Sequence, residues 1–419
     1  MSINLFIIII EVLIFAILTF FKFNKIITLN NLFNLVWTSS LILNIVYSYY
    51  GDILKISNKV INMVIVVIFF FNITYLLLSN KHKYKVINID SFIINYNLVK
   101  WFFFISLILY LPNLIDSFSI LISSGFSFAA IRSNYLSVMG AGRGVYVYIT
   151  QIIPNGICNT IMLISSFDLA RKNYSNLKYS IILMLVNILC FGGRGILLNF
   201  IIYYIISLFL FKSKNQKINI NKKIAYPLTL IIIVMTFSRG TGDLGFFGML
   251  SKYFYQQFSF FELIIENPSI FDINNKIYYG YITLGFVFAP IALILSIFKS
   301  NIQLPSVLID IHSQIFYNIG TGSTVHLINN NTTSLYTYIM DFGINFYFIG
   351  SIILAILIIY IEKKKTISNK NIFFYNMLYV YMIRVVLYTP LHYNLNSIST
   401  SLTMICLYFI TRKVRVTIY

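Results

Sequence analysis

An all-α, polytopic integral membrane protein of about eleven transmembrane helices (10–13) is the fold class this sequence predicts. Three observations predict it. The 419 residues are 58% hydrophobic and only 10% charged, against about 25% charged in soluble domains, and the mean hydropathy is +0.82. Apolar runs near twenty residues recur along the whole chain, the length of a helix crossing a bilayer rather than of a strand in an alternating barrel. The basic residues also sort onto alternate connections.

Taken in order, the expected spans are 3–21, 29–50, 60–78, 99–116, 144–166, 179–192, 196–211, 224–238, 336–360, 372–389 and 397–411. The first run lacks a basic start and a small-residue cleavage site, so it reads as a retained helix and not as a signal peptide. Within it, Glu11 is expected to face a partner helix. Lys22 and Lys25 open one face of the membrane. Lys81, Lys83, Lys85 and Lys100 continue it, then Arg171, Lys172 and Lys178, then the lysines of 212–223. Lys363, Lys364, Lys365 and Lys370 and the tail Arg412, Lys413 and Arg415 complete it. Twenty-one of the 31 basic residues fall on this side, with only Asp90, Asp168 and Glu362 among the acids. The positive-inside rule makes this side cytoplasmic, with the C-terminus inside and the N-terminus outside.

The chain is read as one polytopic domain, 1–419, with two outer segments. Residues 117–143 (SFSILISSGFSFAAIRSNYLSVMGAGR) mix apolar patches with serine, glycine and Arg132, and are expected to form an outer loop with an interfacial helix. Residues 239–335 form a large outer loop, far longer than an ordinary connection. Its apolar stretch 279–298 is expected to lie as an interfacial or re-entrant helix, because counting it as a lone span would reverse the orientation of Lys363 to Lys365. The aromatic run 253–261 (YFYQQFSFF) suits a membrane-interface belt or sugar platforms.

These patterns exclude several function classes. The net charge of +19 is a topology signal attracted to anionic membrane lipids, so no nucleic-acid partner is expected. Cys158, Cys190 and Cys406 all fall in apolar spans and read as buried thiols. No P-loop, HExxH, CxxC or DxD pattern is present, so no cofactor and no metal is expected.

Arginine is distributed differently from lysine. Eighteen of 23 lysines lie on the cytoplasmic side, but only Arg171, Arg412 and Arg415 of the eight arginines do. Guanidinium is the better planar, bidentate partner for phosphate. Arg143 sits in Gly140-Ala141-Gly142-Arg143-Gly144, Arg194 in Gly192-Gly193-Arg194-Gly195, and Arg239 in Ser238-Arg239-Gly240. Flanking glycines let backbone N–H groups approach an anion. With Arg132, these arginines are the candidate diphosphate-binding set, and Gly192, Gly193 and Gly195 the candidate loop glycines. Arg384, inside a span, is equally well read as a residue snorkelling to headgroups. Among possible bases, His326 follows the loop-like Gly320 to Val325 and suits proton transfer from a sugar hydroxyl. Asp341 opens the next span.

The Gly-Arg-Gly tract at Gly192 to Gly195, the long late outer loop, and the run Asn329 to Thr333 leading to Tyr336-Thr337 and Asp341-Phe342-Gly343 give this chain a resemblance. Over about residues 100–411 it resembles the Wzy-type polymerases of bacterial O-antigen and capsule repeat units, which are distantly similar to O-antigen ligases. The resemblance implies a metal-independent membrane glycosyltransferase in the bacterial inner (cytoplasmic) membrane, acting on the outer leaflet upon undecaprenyl-diphosphate-linked oligosaccharide. It further implies a chain-length regulator and a flippase as companions. In that chemistry Arg194, Arg132, Arg239 and Arg143 would hold the diphosphate, and His326, or failing that Asp341, would serve the acceptor hydroxyl. A lipid-linked oligosaccharide flippase or polysaccharide transporter and an O-antigen ligase are the alternatives.

Overall fold

The computed structural model describes residues 2–25, 28–50, 53–79, 94–125, 127, 130–134, 146, 148–193, 195–211, 245–271, 276–298, 302–310, 317–321, 327–328, 333–367 and 371–412. These are mostly helical. Among the described residues, five helices are long and apolar enough to cross a membrane, Ile3–Phe23, Leu29–Tyr49, Asn58–Leu78, Tyr96–Ser123 and Ile149–Ala170. They match the first five expected spans. Shorter apolar helices stand at 177–191, 195–211, 372–388 and 398–411, where four more were expected. The expected span at 224–238 lies outside the described residues. Where the sequence reads as one domain, the chain divides into two compact units: residues 1–83, 247–363 and 385–397, and residues 84–246, 364–384 and 398–419.

In the first unit, α1 (Ser2–Phe23), α2 (Leu29–Tyr50) and α3 (Asn58–Leu78) pack on one another. Asparagines tie them together. Asn30 donates to Thr19 Oγ1 at 2.6 Å, and Asn34 and Asn72 exchange side-chain bonds at 3.1 and 2.6 Å. Asn30, Asn34 and Asn72 are all buried, and in hydrocarbon such pairs hold helices because the alternative is an unsatisfied polar group. Ser57 caps α3, its hydroxyl accepting from Val60 N. Its own N–H donates to Glu262 of α8 (Gly245–Glu266) at 2.6 Å.

That helix α8 lies in what the sequence reads as outer loop, and it revises the aromatic run. Phe258, Phe260 and Phe261 are buried. Phe258 meets Trp37 edge-on, and Phe260 packs on Phe271 and Tyr317. They are core, neither an interface belt nor a sugar platform. Two short strands, β1 (Tyr317–Asn318) and β2 (Leu327–Ile328), pair antiparallel nearby in sequence, and Ile53 bridges Gly320.

The expected 336–360 span is broken. It forms α11 (Ser334–Phe342) and α12 (Phe348–Ile367) around Gly343, whose φ of +76° favours glycine. Helix α11 shows no wet face, since all residues from Ser334 to Asp341 are buried. Preceding it in sequence are α9 (Gly285–Phe298) and α10 (Pro305–Asp310). With 14 residues, α9 is about 21 Å long, short of the ~30 Å hydrocarbon core. Gly285 is where α9 meets the Asn394–Asn396 turn, and an added Cβ would lie 2.6 Å from Asn396 Cα.

The second unit is built on α4 (Tyr96–Ser123), which runs straight through the boundary expected at residue 117. Residues 117–123 are helix, not loop. The reason is the stripe Ser106, Tyr110, Asn113 and Ser117 at helical spacing, buried against two neighbours. One is α5 (Ile153–Ala170), entered through a π turn at Tyr148–Ile152, and the other is α6 (Leu177–Phe191). Tyr110 donates to Asn155 Oδ1 at 2.7 Å and accepts from Asn187 at 3.0 Å, while Asn113 donates to Thr150 O at 2.8 Å. The remaining helices of the unit are α7 (Gly195–Phe211), α13 (Ile372–Tyr388, to residue 384) and α14 (Ile398–Thr411).

Helix α14 packs on α5 through a small-residue crossing. Thr403 donates to Gly156 O at 3.1 Å, and a Cβ on Gly156 would sit 2.7 Å from Leu402 Cβ and 2.9 Å from Ser399 O. We expect Gly156→Ala to destabilise the protein by about 1–3 kcal/mol through overpacking, read as a lowered thermal midpoint in detergent. An unchanged midpoint would show that the crossing is looser than these distances.

Candidate functional site

A glycine turn and a buried arginine make the candidate site, both in the second unit. Helix α6 stops because Gly192 adopts the left-handed conformation, φ 60° and ψ 16°, and its N–H closes onto Ile188 O at 2.8 Å. Two residues earlier, Cys190 O accepts from Ser117 at 3.0 Å, which fixes this end of α6 against α4. Gly193 follows, and α7 starts at Gly195. A Cβ added to Gly193 or Gly195 would meet nothing within 4 Å, so neither glycine is there to relieve packing. What they leave is open space over a helix N-terminus, where backbone N–H groups and the helix dipole favour an anion.

Arg384 supplies the cation. It is 7% exposed, and its Nε donates to Asn199 Oδ1 at 2.9 Å. Asn199 is four residues into α7 from Gly195, about 6 Å along the axis. Two tyrosines flank the guanidinium, its Cζ lying 5.9 Å from the Tyr203 ring centroid and 5.7 Å from that of Tyr381. Tyr203 stands one turn beyond Asn199. Tyr381 is held in turn by its hydroxyl against Thr400 Oγ1 at 2.8 Å. Cation–π contact with both rings helps to hold the guanidinium in place. The arrangement fixes a partly desolvated cation about one turn along the helix that starts at Gly195, a donor suited to phosphate oxygens.

The predicted residues fare unequally. Gly192, Gly193 and Gly195 form the turn described above. Arg194 itself lies outside the described residues, as do Arg143, Arg239 and His326. Arg132 falls in a helical stretch, 130–134, and is half-buried in the same unit as the glycine turn. Asp341 belongs to the first unit and is completely buried. Its Oδ1 accepts from Ile282 N at 3.0 Å and its Oδ2 from Thr283 N, while its backbone carbonyl takes Tyr279 N at 2.8 Å. Its observed work is to hold the turn that leads into α9. Tyr393 joins the same cluster, donating to Thr283 O at 2.8 Å with its ring 5.6 Å from that of Tyr338.

Arg384 is the residue that sequence reasoning undervalued. Its signal was present as an arginine inside YVYMIRVVLY with Tyr381 three residues before it, and as Asn199 and Tyr203 four apart on the helix after the glycine turn. No pattern in one chain says that these two stretches face each other. Among the described residues no group of histidine, cysteine, aspartate or glutamate could hold a metal ion. No family model, curated protein or solved structure matches this chain.

Proposed function

We propose that this protein polymerises lipid-diphosphate-linked oligosaccharide repeat units into O-antigen or capsular polysaccharide, on the outer leaflet of the bacterial cytoplasmic membrane. The observation that carries the reading is Arg384, buried between Tyr203 and Tyr381 and bonded to Asn199 just beyond the open Gly192–Gly195 turn. The topology inferred from the basic residues, N-terminus outside and C-terminus cytoplasmic, puts that turn at the outer face.

In the proposed reaction the acceptor sugar's hydroxyl oxygen bonds to the anomeric carbon of the growing glycan. The bond from that carbon to the lipid diphosphate breaks, and the hydroxyl proton passes to a base. The diphosphate is already a good leaving group, so the protein's task is to stabilise the charge that develops on it and to place the acceptor. Arg384 and the α7 N-terminus are assigned to the diphosphate, with Arg194 beside them in sequence, and Arg132, Arg239 and Arg143 as further cations. With both carboxylate oxygens of Asp341 engaged by backbone N–H groups, the base is assigned to His326.

Deleting the gene and resolving the surface glycan on a gel tests the function. Loss of a polymerase leaves single repeat units at the surface, and loss of a flippase leaves none. Loss of a ligase keeps polymer on its lipid carrier. Unchanged chain length after deletion would overturn the proposal.

A further inference from the structure

Helix α1 holds a carboxyl that the glycan chemistry does not use. The helix turns its inward stripe to α2 and α3, with Ile8, Phe15 and Thr19 buried along it and most of the other face exposed and apolar. Glu11 lies on this stripe near the midpoint of a 22-residue helix. Both of its carboxylate oxygens are buried and neither has a hydrogen-bond partner.

The register identifies what surrounds it. Thr19 of α1 pairs with Asn30 of the antiparallel α2. Eight residues back along α1 and eight forward along α2 reach Glu11 and Thr38 at one depth. The Thr38 hydroxyl is likewise buried without a partner. Helix α3 runs parallel to α1, with Phe15 against Phe69 and Phe23 against Tyr75, so Glu11 stands level with Met63, Val64 and Ile65. No charge answers it from either packed helix. Helix α2 contains no charged residue, and its tyrosines 47, 49 and 50 fall in its last turn. Helix α3 contains only Lys59, exposed in its first turn, and Tyr75 near its far end. On α1 itself Lys22 is three turns away and bonds Leu76 O.

We propose that Glu11 is an intramembrane proton-binding site, formed by α1, α2 and α3 and independent of the glycan-transfer reading. An ionised carboxylate cannot persist in hydrocarbon without a cation or donors, and it takes up a proton instead. The bound proton then gives Glu11 a donor for the Thr38 hydroxyl at its own depth. A metal cation fits less well. It requires several oxygens, and at this level α3 offers only methionine, valine and isoleucine.

The test uses the full-length protein in detergent or nanodiscs with dicyclohexylcarbodiimide, which reacts with protonated carboxyls in apolar surroundings. The acid adds across the carbodiimide, its proton passing to nitrogen, and the acyl group migrates to give a stable N-acylurea with nothing released. Peptide mapping by mass spectrometry is expected to find the adduct on Glu11 at neutral pH. Labelling should fall as the pH is raised, be indifferent to sodium, and be lost in Glu11→Gln. The wild-type measurement stands by itself if that variant does not fold. Absence of the adduct while a fatty acid in the same micelles is labelled would overturn the proposal. Protection by sodium would overturn it in favour of a metal-cation site. Equal labelling by a water-soluble carbodiimide with an amine would overturn it in favour of a solvated carboxylate.

Discussion

Arg384→Leu is expected to reduce repeat-unit polymerisation by two to three orders of magnitude, about the loss seen when one preorganised charge-stabilising donor is removed from an enzyme site. Arg384→Lys should be nearly as damaging. An ammonium has no Nε–H to reach Asn199 Oδ1, which Arg384 now contacts at 2.9 Å, and it lacks the delocalised, weakly hydrated charge that suits a site between Tyr203 and Tyr381. The assay is chain length of surface glycan at matched protein level, then turnover of purified lipid-linked repeat units. Arg194→Lys belongs in the same series. If both lysine variants polymerised normally, the diphosphate contact would reduce to simple charge. If Arg384→Leu alone were harmless, Arg384 would be a packing residue and the assignment would pass to Arg194.

Asp341→Asn is expected to destabilise the first unit by about 1.5–3 kcal/mol, the loss of one backbone hydrogen bond to a charged acceptor. The amide keeps one acceptor oxygen but points N–H groups where Ile282 N or Thr283 N now donate. Donor would face donor at a fully buried position. Thermal unfolding of the purified variant measures this. A variant with an unchanged midpoint that nonetheless failed to extend glycan would return Asp341 to the catalytic role that its sequence position suggests.

The two residues illustrate what a sequence of this kind discloses. Apolar length places the helices well, and 29–50 is met to the residue by α2, because hydrocarbon thickness is a one-dimensional constraint. Breaks are harder. Nothing in Asp341-Phe342-Gly343 announces that Gly343 takes a positive φ and ends α11. Nor does that tract announce that the Asp341 carboxylate will take the N–H groups of Ile282 and Thr283, some sixty residues upstream. The same limit hid α8, whose phenylalanines read as a surface belt until Trp37 and Tyr317 are brought against them. At the candidate site the glycines were legible, since a turn between two apolar runs has few other solutions. The cation nested near them was not, because the contact joins Asn199 to Arg384 across 185 positions.

The asparagine ties of the first three helices have a consequence for biosynthesis. Thr19, Asn30, Asn34 and Asn72 all lie within the first eighty residues, and these side-chain bonds join them to one another. A nascent chain can therefore lock its first hairpin and third helix while the remaining helices are still being translated, in keeping with amino-terminal segments assembling first. Asn72→Leu would leave Asn34 with its partner gone during that interval. Its signature would be slowed insertion or early proteolysis of the emerging chain, even where the finished protein, once assembled, worked at its usual rate.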